Sequence, residues 1–314
     1  MKQIRLSDAA SFLRLNDNYV ILTHRRPDGD TIGCAVALCL ALRQMGKTAH
    51  VLENPQFTEK YDSYLFGLTC EHLPANACIL AVDIASEGLL PYGLPECVTE
   101  LLIDHHGSNT GFALSGYVDP SAAACGEILL SLLCELGVTV DKAMAEAIYL
   151  AVTTDTGCFR FSNTTANTLR TAAYCKDCGA DTYAINRAIF LTRSLARMKL
   201  EARLTETTEF HHDGLVAISA IPNELIEELG LTEDDIDDIS GFGRRIAGVE
   251  ISVMLREVEE GGKLSVRTSP NYDASAICAR LGGGGHAAAA GATVSGGIEA
   301  ARSAFLRVLR EMEL

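Results

Sequence analysis

The sequence predicts an α/β protein: an N-terminal domain with a mainly parallel sheet flanked by helices, then a linker helix, then a smaller α+β domain. Short apolar runs alternate with long helical patterns in residues 1–192, which favours the parallel sheet. A charged helical pattern at 193–208 marks a change in composition. From 209 to 314, strand patterns and glycine turns predict the second, mixed domain. We therefore expect domain boundaries near residues 192 and 208.

Composition limits the class of protein. With 314 residues, 48% hydrophobic and 21% charged, the chain is long enough for two domains with apolar cores. The N-terminus lacks an apolar signal core, and no apolar run approaches the ~20 residues that span a bilayer, so we expect a cytoplasmic protein without membrane contact. The eleven cysteines lie mostly within apolar runs, which favours free thiols. A net charge of −15 argues against binding of duplex DNA.

The elements of the first domain follow in a regular order, because each short apolar run is succeeded by polar residues and then by another run or a helical pattern. The predicted strands are residues 19–22, 48–52, 78–82 and 101–103. The predicted helices are residues 34–42, 122–136, 142–153, 165–178 and 182–190.

A polar motif at residues 23–33 lies between the first strand and its helix. It contains His24, Asp28 and Asp30, which we expect at the carboxyl edge of the sheet, where α/β proteins bind ligands. Taken alone, an aspartate cap and turn with a satisfied strand-end histidine explain the motif equally well. Further acidic residues and histidines follow apolar runs in the same way, and they favour a metal site: Asp83, Asp104, His105, His106 and Asp155.

The residue types in these motifs determine the chemistry. Carboxylate oxygens and imidazole nitrogens are ligands for hard or borderline divalent cations. Two such ions ~3.5–4 Å apart can activate water and neutralise a phosphoryl group during in-line attack. The sequence therefore predicts phosphoester hydrolysis at a pair of cations.

Strand patterns and a glycine run characterise the second domain. We predict a strand at 215–221 and a hairpin of 250–258 with 263–267 across a turn at 260–262. The acidic segment 233–238 is typical of solvated surface, with a metal site as the alternative. The glycines at 282–285, followed by His286, predict a nest of backbone N–H groups that binds phosphate, although a low-complexity loop has the same composition.

The four motifs of the first domain, in their order and spacing, resemble the DHH phosphoesterases. The glycine run with His286 and the Ala-Ala-Gly at 289–291 is similar to the signature of the DHHA1 domain that accompanies many members. Together the two resemblances cover nearly the whole chain. They imply that His24 and Asp28 hold one ion, that Asp30, His105 and Asp155 hold the other, and that Asp83 bridges them. They also imply that His106 faces the phosphate and that Asp104 orients the neighbouring histidines.

The same resemblance implies a cofactor and a substrate site. We expect two Mn²⁺ ions, with Mg²⁺ or Co²⁺ as alternatives. Two departures from the family pattern are Cys34, where members often have serine, and the alanines after His286, where members often have a basic residue. The residues expected to grip a second phosphate of the substrate are Arg267, Ser269, Gly283, Gly284, Gly285 and His286.

The two-domain length resembles the stand-alone nano-RNases of this family. It implies hydrolysis of short oligoribonucleotides to mononucleotides, of 3′-phosphoadenosine 5′-phosphate to AMP, or of both. The same architecture supports hydrolysis of cyclic or linear dinucleotides, which is the competing enzymatic hypothesis. A non-catalytic nucleotide sensor is the hypothesis from another class, and the intact set of ligand positions argues against it. The sequence leaves the oligomeric state open, a homodimer included.

Overall fold

In the computed structural model, which describes residues 1–236 and 238–312, the chain divides into two units, Met1–Thr192 and Arg193–Leu314. Each has its own hydrophobic core. The prediction of a mainly parallel α/β domain followed by a smaller mixed domain is confirmed. Among the described residues, no helix combines the length and the apolar character needed to cross a bilayer.

A parallel sheet runs through the first unit, with strand order β1-β7-β6-β5-β2-β3-β4. A π-helical turn at Arg187–Leu191 ends this unit. In chain order the elements are β1 (Lys2–Gln3), α1 (Leu6–Leu15), β2 (Tyr19–Leu22), α2 (Gly29–Gln44), β3 (Ala49–Leu52), α3 (Asp62–Leu65), β4 (Thr69–Cys70), β5 (Cys78–Val82), β6 (Leu101–Asp104), β7 (Ser115–Val118), α4 (Cys125–Leu136), α5 (Lys142–Asp155), α6 (Ala166–Asp177) and α7 (Thr182–Asn186).

Strand β2 shows why this sheet is apolar on both faces. Successive side chains of a strand point to opposite faces. Tyr19 and Ile21 accordingly enter one core cluster, while Val20 and Leu22 enter the cluster on the other face. Because both faces are covered, the strand is an unbroken apolar run rather than an alternating one.

Helices α2 and α5 lie unusually close together, because small residues face each other where they meet. A Cβ atom at Gly33 would lie 2.2 Å from the carbonyl oxygen of Ala147. A Cβ atom at Gly29 would lie 2.4 Å from Cγ2 of Thr154. This close packing brings the C-terminal end of α5, where Asp155 lies, beside the N-terminal turn of α2.

The second unit contains a mixed sheet with strand order β12-β13-β11-β10-β9-β8. Strands β9 and β10 pair in parallel, and the other pairs are antiparallel. A 3₁₀ segment, Ile239–Arg245, packs on the sheet beside α8. Phe242 of this segment and Met254 of the sheet lie in the same apolar cluster. The elements are α8 (Leu195–Thr207), β8 (Glu209–His211), β9 (Val216–Ile221), α9 (Asn223–Leu229), α10 (Glu233–Ile236), β10 (Ile251–Val258), β11 (Gly261–Thr268), α11 (Ala274–Ala279), β12 (Gly284–His286), β13 (Ala289–Val294) and α12 (Gly297–Glu311).

Four glycines of the second unit lie within strands rather than in the predicted turn and nest: Gly261 and Gly262 in β11, and Gly284 and Gly285 in β12. The hairpin register pairs Val258 with Gly261, so the turn occupies residues 259–260 instead of 260–262. Gly262 is required within β11, since a Cβ atom there would lie 2.4 Å from the carbonyl oxygen of Gly297. The run at 282–285 leads into β12, an edge strand that pairs with β13. The expected concave nest is therefore an extended strand with one free edge.

The acidic segment at 233–238 is exposed at Glu233, Asp234 and Asp238, as predicted, but not at Asp235. Asp235 is buried, and its carboxylate accepts hydrogen bonds from Ser194 and from the Thr232 amide at 2.9 Å. Asp238 accepts from Arg197, which is buried within α8, at 2.8 Å. Asp237 lies outside the described residues. These two aspartates fix α8 to the second unit, which explains an acidic run that composition alone assigns to solvent.

Candidate metal centre

His24 and Asp28 lie on the turn between β2 and α2. Asp28 caps α2, since its Oδ1 accepts the amide hydrogens of Asp30 at 3.0 Å and Thr31 at 3.2 Å. The same Oδ1 lies 3.5 Å from Nε2 of His24. Asp28 is therefore a helix cap, as the alternative explanation predicted. It also lies in a position suited to a metal ligand. Nδ1 of His24 lies 2.9 Å from the Arg25 carbonyl oxygen, to which it donates, so Nε2 keeps its lone pair.

Asp83 occupies the middle of the cluster, directly after β5. Its backbone adopts φ 58°, a left-handed conformation that non-glycine residues seldom take outside constrained sites. Its Oδ2 lies 3.7 Å from Nε2 of His24, and its Oδ1 lies 3.5 Å from Nε2 of His105. Oδ1 is buried without a hydrogen-bond partner. A carboxylate oxygen in this state requires a positive partner to offset its desolvation.

His105 faces the carboxylates delivered by the two packed helices. Its Nε2 lies 3.3 Å from Oδ2 of Asp155 and 3.8 Å from Oδ2 of Asp30. On the other side of the ring, Nδ1 lies 3.2 Å from the carbonyl oxygen of Ala122. A hydrogen bond from Nδ1–H to this carbonyl selects the tautomer whose Nε2 can bind a metal, as is usual for metal-binding histidines.

The ligand atoms form groups that share members. His24, Asp28 and Asp83 each offer one atom within 4.8 Å of the others, and Asp30, His105 and Asp155 do the same. Asp83 also forms such a group with His105 and His106. All six residues predicted as metal ligands thus meet at one edge of the sheet. Whether each binds an ion remains a prediction.

The electrostatics of the cluster favour bound cations. Burial, followed by the charges of neighbouring aspartates, raises the pKa of Asp30 and of Asp83 well above the usual range. Burial and the charge of Asp28 raise the pKa of Asp155 to about 7. Divalent cations would offset this repulsion. The orphaned Asp83 oxygen and the mixture of carboxylate and imidazole donors therefore fit a pair of such ions.

Asp104 is fully buried, and its two oxygens hold the residues that surround the ion groups. Oδ1 accepts from Nδ1 of His106 at 2.7 Å and from the His105 amide at 2.8 Å. Oδ2 accepts from Nδ2 of Asn109 at 2.6 Å. The hydrogen bond with Asp104 raises the pKa of His106. Asn109 was not predicted as a site residue, although its place in the polar turn after the histidines is consistent with a site residue.

Asp30 connects α2 to α4, a link that the sequence does not reveal. Its carboxylate accepts the amide hydrogens of Cys125 at 2.7 Å and Gly126 at 3.0 Å, at the beginning of α4. The Cys34 thiol donates to the same carboxylate at 3.2 Å. The thiol thus makes the hydrogen bond that a serine hydroxyl would make there. Asp30 therefore has a structural function in addition to its proposed function as a metal ligand.

The residues predicted to bind substrate lie in the second unit, on adjoining strands. Arg267 pairs with Ala289, and Ala289 pairs with His286, so the arginine and the histidine share one face of the sheet. Arg267 donates from Nη2 to Oγ of Ser240 at 2.8 Å and from Nη1 to the Val266 carbonyl at 3.0 Å. No carboxylate of a described residue lies within ion-pair distance of its guanidinium.

The other predicted substrate residues differ in burial. Ser269 follows β11, and its hydroxyl is buried without a hydrogen-bond partner. Gly284, Gly285 and His286 are exposed along the free edge of β12, and Gly283 immediately precedes them. Burial lowers the pKa of Arg267, although the charge remains at every physiological pH.

Comparison with known proteins adds to this geometry. Residues 18–152 match the profile of the DHH family, N-terminal domain, and residues 214–312 match that of the DHHA1 domain. A protein of Thermus thermophilus, named bifunctional oligoribonuclease and PAP phosphatase NrnA, is 36% identical over 93% of this chain and 89% of its own. The chain belongs to the DHH family. A second protein of that name, from Bacillus subtilis, is 26% identical over 92% of this chain and 93% of its own.

Two further proteins match this chain at lower identity. The cyclic-di-AMP phosphodiesterase PdeA of Listeria monocytogenes is 24% identical over 86% of this chain but only 44% of its own length. The crystal structure of an exopolyphosphatase-related protein from Bacteroides fragilis superimposes with a TM-score of 0.86 at 23% identity, covering 98% of this chain and 96% of that one. This last likeness establishes a shared fold.

Proposed function

We propose that this DHH-family protein is a metal-dependent phosphoesterase that hydrolyses short oligoribonucleotides to mononucleotides and 3′-phosphoadenosine 5′-phosphate to AMP. The observation that carries the proposal is the cluster of carboxylates and histidines around Asp83. Two relatives named as oligoribonuclease and PAP phosphatase match this chain over nearly all of both lengths, which supports the choice of substrate.

We assign His24 and Asp28 to one cation, Asp30, His105 and Asp155 to a second, and Asp83 to both. Divalent cations bound there would supply positive charge that acidifies water and neutralises phosphoryl oxygens. Mixed carboxylate and imidazole donors suit Mn²⁺, with Co²⁺ and Mg²⁺ as the alternatives. The carbonyl groups of Arg25 and Ala122 hold the histidine rings in the tautomer that leaves Nε2 free for the ion.

His106 is the residue that we assign to the phosphoryl group. Asp104 accepts the Nδ1–H of His106 and raises the pKa of that histidine. The ring therefore keeps its second proton, at Nε2, up to a higher pH than an isolated histidine does. That proton can donate to a phosphoryl oxygen. Asn109 holds the second oxygen of Asp104 and thereby fixes the orientation of the pair. Asp104 and Asn109 are positioning residues in this account.

Arg267 is the group that we assign to a second phosphate of the substrate. Its guanidinium is half-buried and has no acidic partner among the described residues, so an incoming anion would complete its hydrogen bonds. The unpartnered hydroxyl of Ser269 and the free edge formed by Gly283, Gly284, Gly285 and His286 provide further donors. The planar fork of arginine suits phosphate oxygens better than a lysine would.

Hydrolysis of cyclic or linear dinucleotides is the second candidate. The match to the Listeria cyclic-di-AMP phosphodiesterase supports it. However, this chain spans less than half of that protein, whereas it spans about nine-tenths of the oligoribonucleotide-degrading relatives. We therefore rank it below the main proposal.

A substrate panel tests the proposal. The purified protein is incubated with the dinucleotide pApA, a five-nucleotide RNA, 3′-phosphoadenosine 5′-phosphate and cyclic di-AMP, each with Mn²⁺, Co²⁺ or Mg²⁺ and each with excess chelator. We expect mononucleotide from the RNAs, inorganic phosphate from 3′-phosphoadenosine 5′-phosphate, and no release with chelator. Preferred cleavage of cyclic di-AMP would favour the second candidate, and binding without release would favour a sensor.

A further inference from the structure

The segment after Asp155 adopts a conformation that the ion cluster does not explain. Gly157, Cys158 and Phe159 have φ values of 55°, 58° and 62°, so three successive residues lie in the left-handed region. Non-glycine residues rarely do so, and such strain persists where surrounding structure enforces it, most often at functional sites. The conformation therefore directs attention to the side chains that this turn presents.

Hydrogen bonds attach the segment to the ion cluster. Nδ2 of Asn163 donates to the carbonyl oxygens of Asp155 and Ala123, each at 3.1 Å. The amides of Arg160 and Phe161 both donate to the Thr156 carbonyl, at 2.9 Å and 3.0 Å. The position of Phe161 is thereby fixed relative to Asp155.

Phe161 presents an aromatic surface to solvent. Phe161 is 57% exposed, although the burial of a phenyl ring is favourable in free energy. The ring packs against Gly157, where a Cβ atom would lie 2.4 Å from Cζ. Glycine is thus required at 157 both for its φ value and for the space that the ring occupies. The backbone supports the ring, while more than half of the residue remains uncovered.

A positive charge precedes this ring in the chain, at Arg160, whose Nε donates to the carbonyl oxygen of Gly157. Arg160 is exposed, and its guanidinium carbon lies 5.9 Å from the centroid of Phe190. In a chain with a net charge of −15, an exposed arginine five residues after Asp155 adds attraction for an anionic ligand. An aromatic face with an adjacent arginine is the combination that proteins use to bind single-stranded nucleic acid without reading its sequence.

We propose that Phe161, which follows Arg160 in the chain, forms a base-stacking subsite for the nucleotide whose phosphate is held at the ion cluster. The proposal rests on the proposed function and adds to it a contact with the base of the substrate. Every base has a π face, so stacking on one phenyl ring tolerates all four. Substrates that lack a base would lose this contact and bind more weakly.

Fluorescence tests the subsite without relying on turnover. The chain contains no tryptophan, so F161W carries a single reporter at the subsite. F66W is the matched control, because Phe66 is 90% exposed in the same unit. With Mn²⁺ present, we expect AMP to quench the emission of F161W, ribose 5-phosphate to leave it unchanged, and neither ligand to affect F66W. Absence of quenching at millimolar AMP, or equal quenching by ribose 5-phosphate, would overturn the proposal.

Steady-state kinetics supply the second readout. For pApA, we expect F161A to raise KM by about five- to a hundredfold with kcat within about twofold, and F66A to match the wild type. An unchanged KM in F161A overturns the subsite while leaving the proposed function intact. A wild-type protein that fails to hydrolyse pApA or 3′-phosphoadenosine 5′-phosphate overturns the proposed function, and the quenching experiment then decides the subsite by itself.

Discussion

The two units contain the same kind of imbalance with opposite sign. In the first, Asp30 and Asp83 are buried among other carboxylates, and one oxygen of Asp83 has no hydrogen-bond partner. In the second, Arg267 is half-buried, and the described part of the chain offers it no acidic partner. Removing a charge from water without a counter-charge is costly in free energy. The presence of such groups in both units therefore indicates that each serves a function other than stability.

The difference in sign indicates what each unit requires. The first can be neutralised by cations and the second by an anion, and a phosphorylated nucleotide with divalent metal supplies both. In a structural ion pair, such as that of Arg197 with Asp238, both charges belong to the protein. These two sites are incomplete, which separates a binding site from a structural contact. Four sets of substitutions, at five positions, test this comparison.

The largest expected effect is at Asp83. Both D83A and D83N should lower the Mn²⁺-dependent turnover of pApA by at least about 10³-fold, because they remove the carboxylate assigned to both ions. D83N retains the shape of the side chain, so its circular dichroism spectrum should match that of the wild type. D177N, which alters an exposed aspartate in the same unit, should retain full activity. Appreciable activity in D83N would contradict the first half of the comparison.

Arg267 tests the second half. R267Q should raise KM for pApA by about 10–100-fold with a smaller change in kcat, because it removes charge-assisted hydrogen bonds to the phosphate. R267K keeps the charge but not the fork and should lie between R267Q and the wild type. R310Q, at an exposed arginine of the same unit, serves as the control. If R267Q had the KM of the wild type, the half-buried arginine would need a purely structural explanation.

Gly283 and Gly284 are adjacent residues with different surroundings. A Cβ atom at 283 would lie 2.1 Å from the Gly291 carbonyl oxygen, whereas at 284 it would meet nothing within 4 Å. G283A should therefore destabilise the unit by about 1–3 kcal/mol in thermal or urea unfolding. G284A should leave stability unchanged but raise KM by about three- to tenfold, because the methyl group crowds an anion at the strand edge. A silent G284A would remove the glycine run from the substrate site.

The smallest effect concerns the metal-free protein. Asp155 has a folded pKa of about 7, above its usual value, so the stability that its protonated form contributes is lost as pH rises from about 4 to about 7. D155N cannot ionise. In excess chelator, the melting temperature of D155N relative to the wild type should rise by about 3–10 °C between pH 5 and pH 7.5. With Mn²⁺ the order should reverse. A pH-independent difference would contradict the charge repulsion inferred for this cluster.

The sequence predicts the first unit well because the carboxyl ends of parallel strands share one edge. Residues placed after β2, β5 and β6 must therefore be neighbours. Asp155 is harder to place, because it ends a helix. Its position depends on the contact of α2 with α5 across Gly33, which is a matter of tertiary packing. The bonds from Asp30 to the amides of α4 are likewise invisible in sequence.

The second unit is predicted less accurately, because its features depend on partners distant in the chain. The glycine run becomes a strand only by pairing with β13, and no local signal distinguishes that strand from a loop. Asp235 and Asp238 belong to an acidic run that composition assigns to solvent, yet Ser194 and Arg197, about forty residues earlier, hold them. Local pattern identifies the residues but not their partners.

The contact between α2 and α5 has a consequence for the choice of metal. Gly29 and Gly33 set how near the two helix axes come, and the carboxylates of Asp30 and Asp155 are carried on those helices. Our proposal places one ion between these two carboxylates, and neither glycine would contact it. A methyl group added at Gly33 would lie 2.2 Å from the Ala147 carbonyl oxygen and force the helices apart, and we expect the wider gap to favour cations of larger radius.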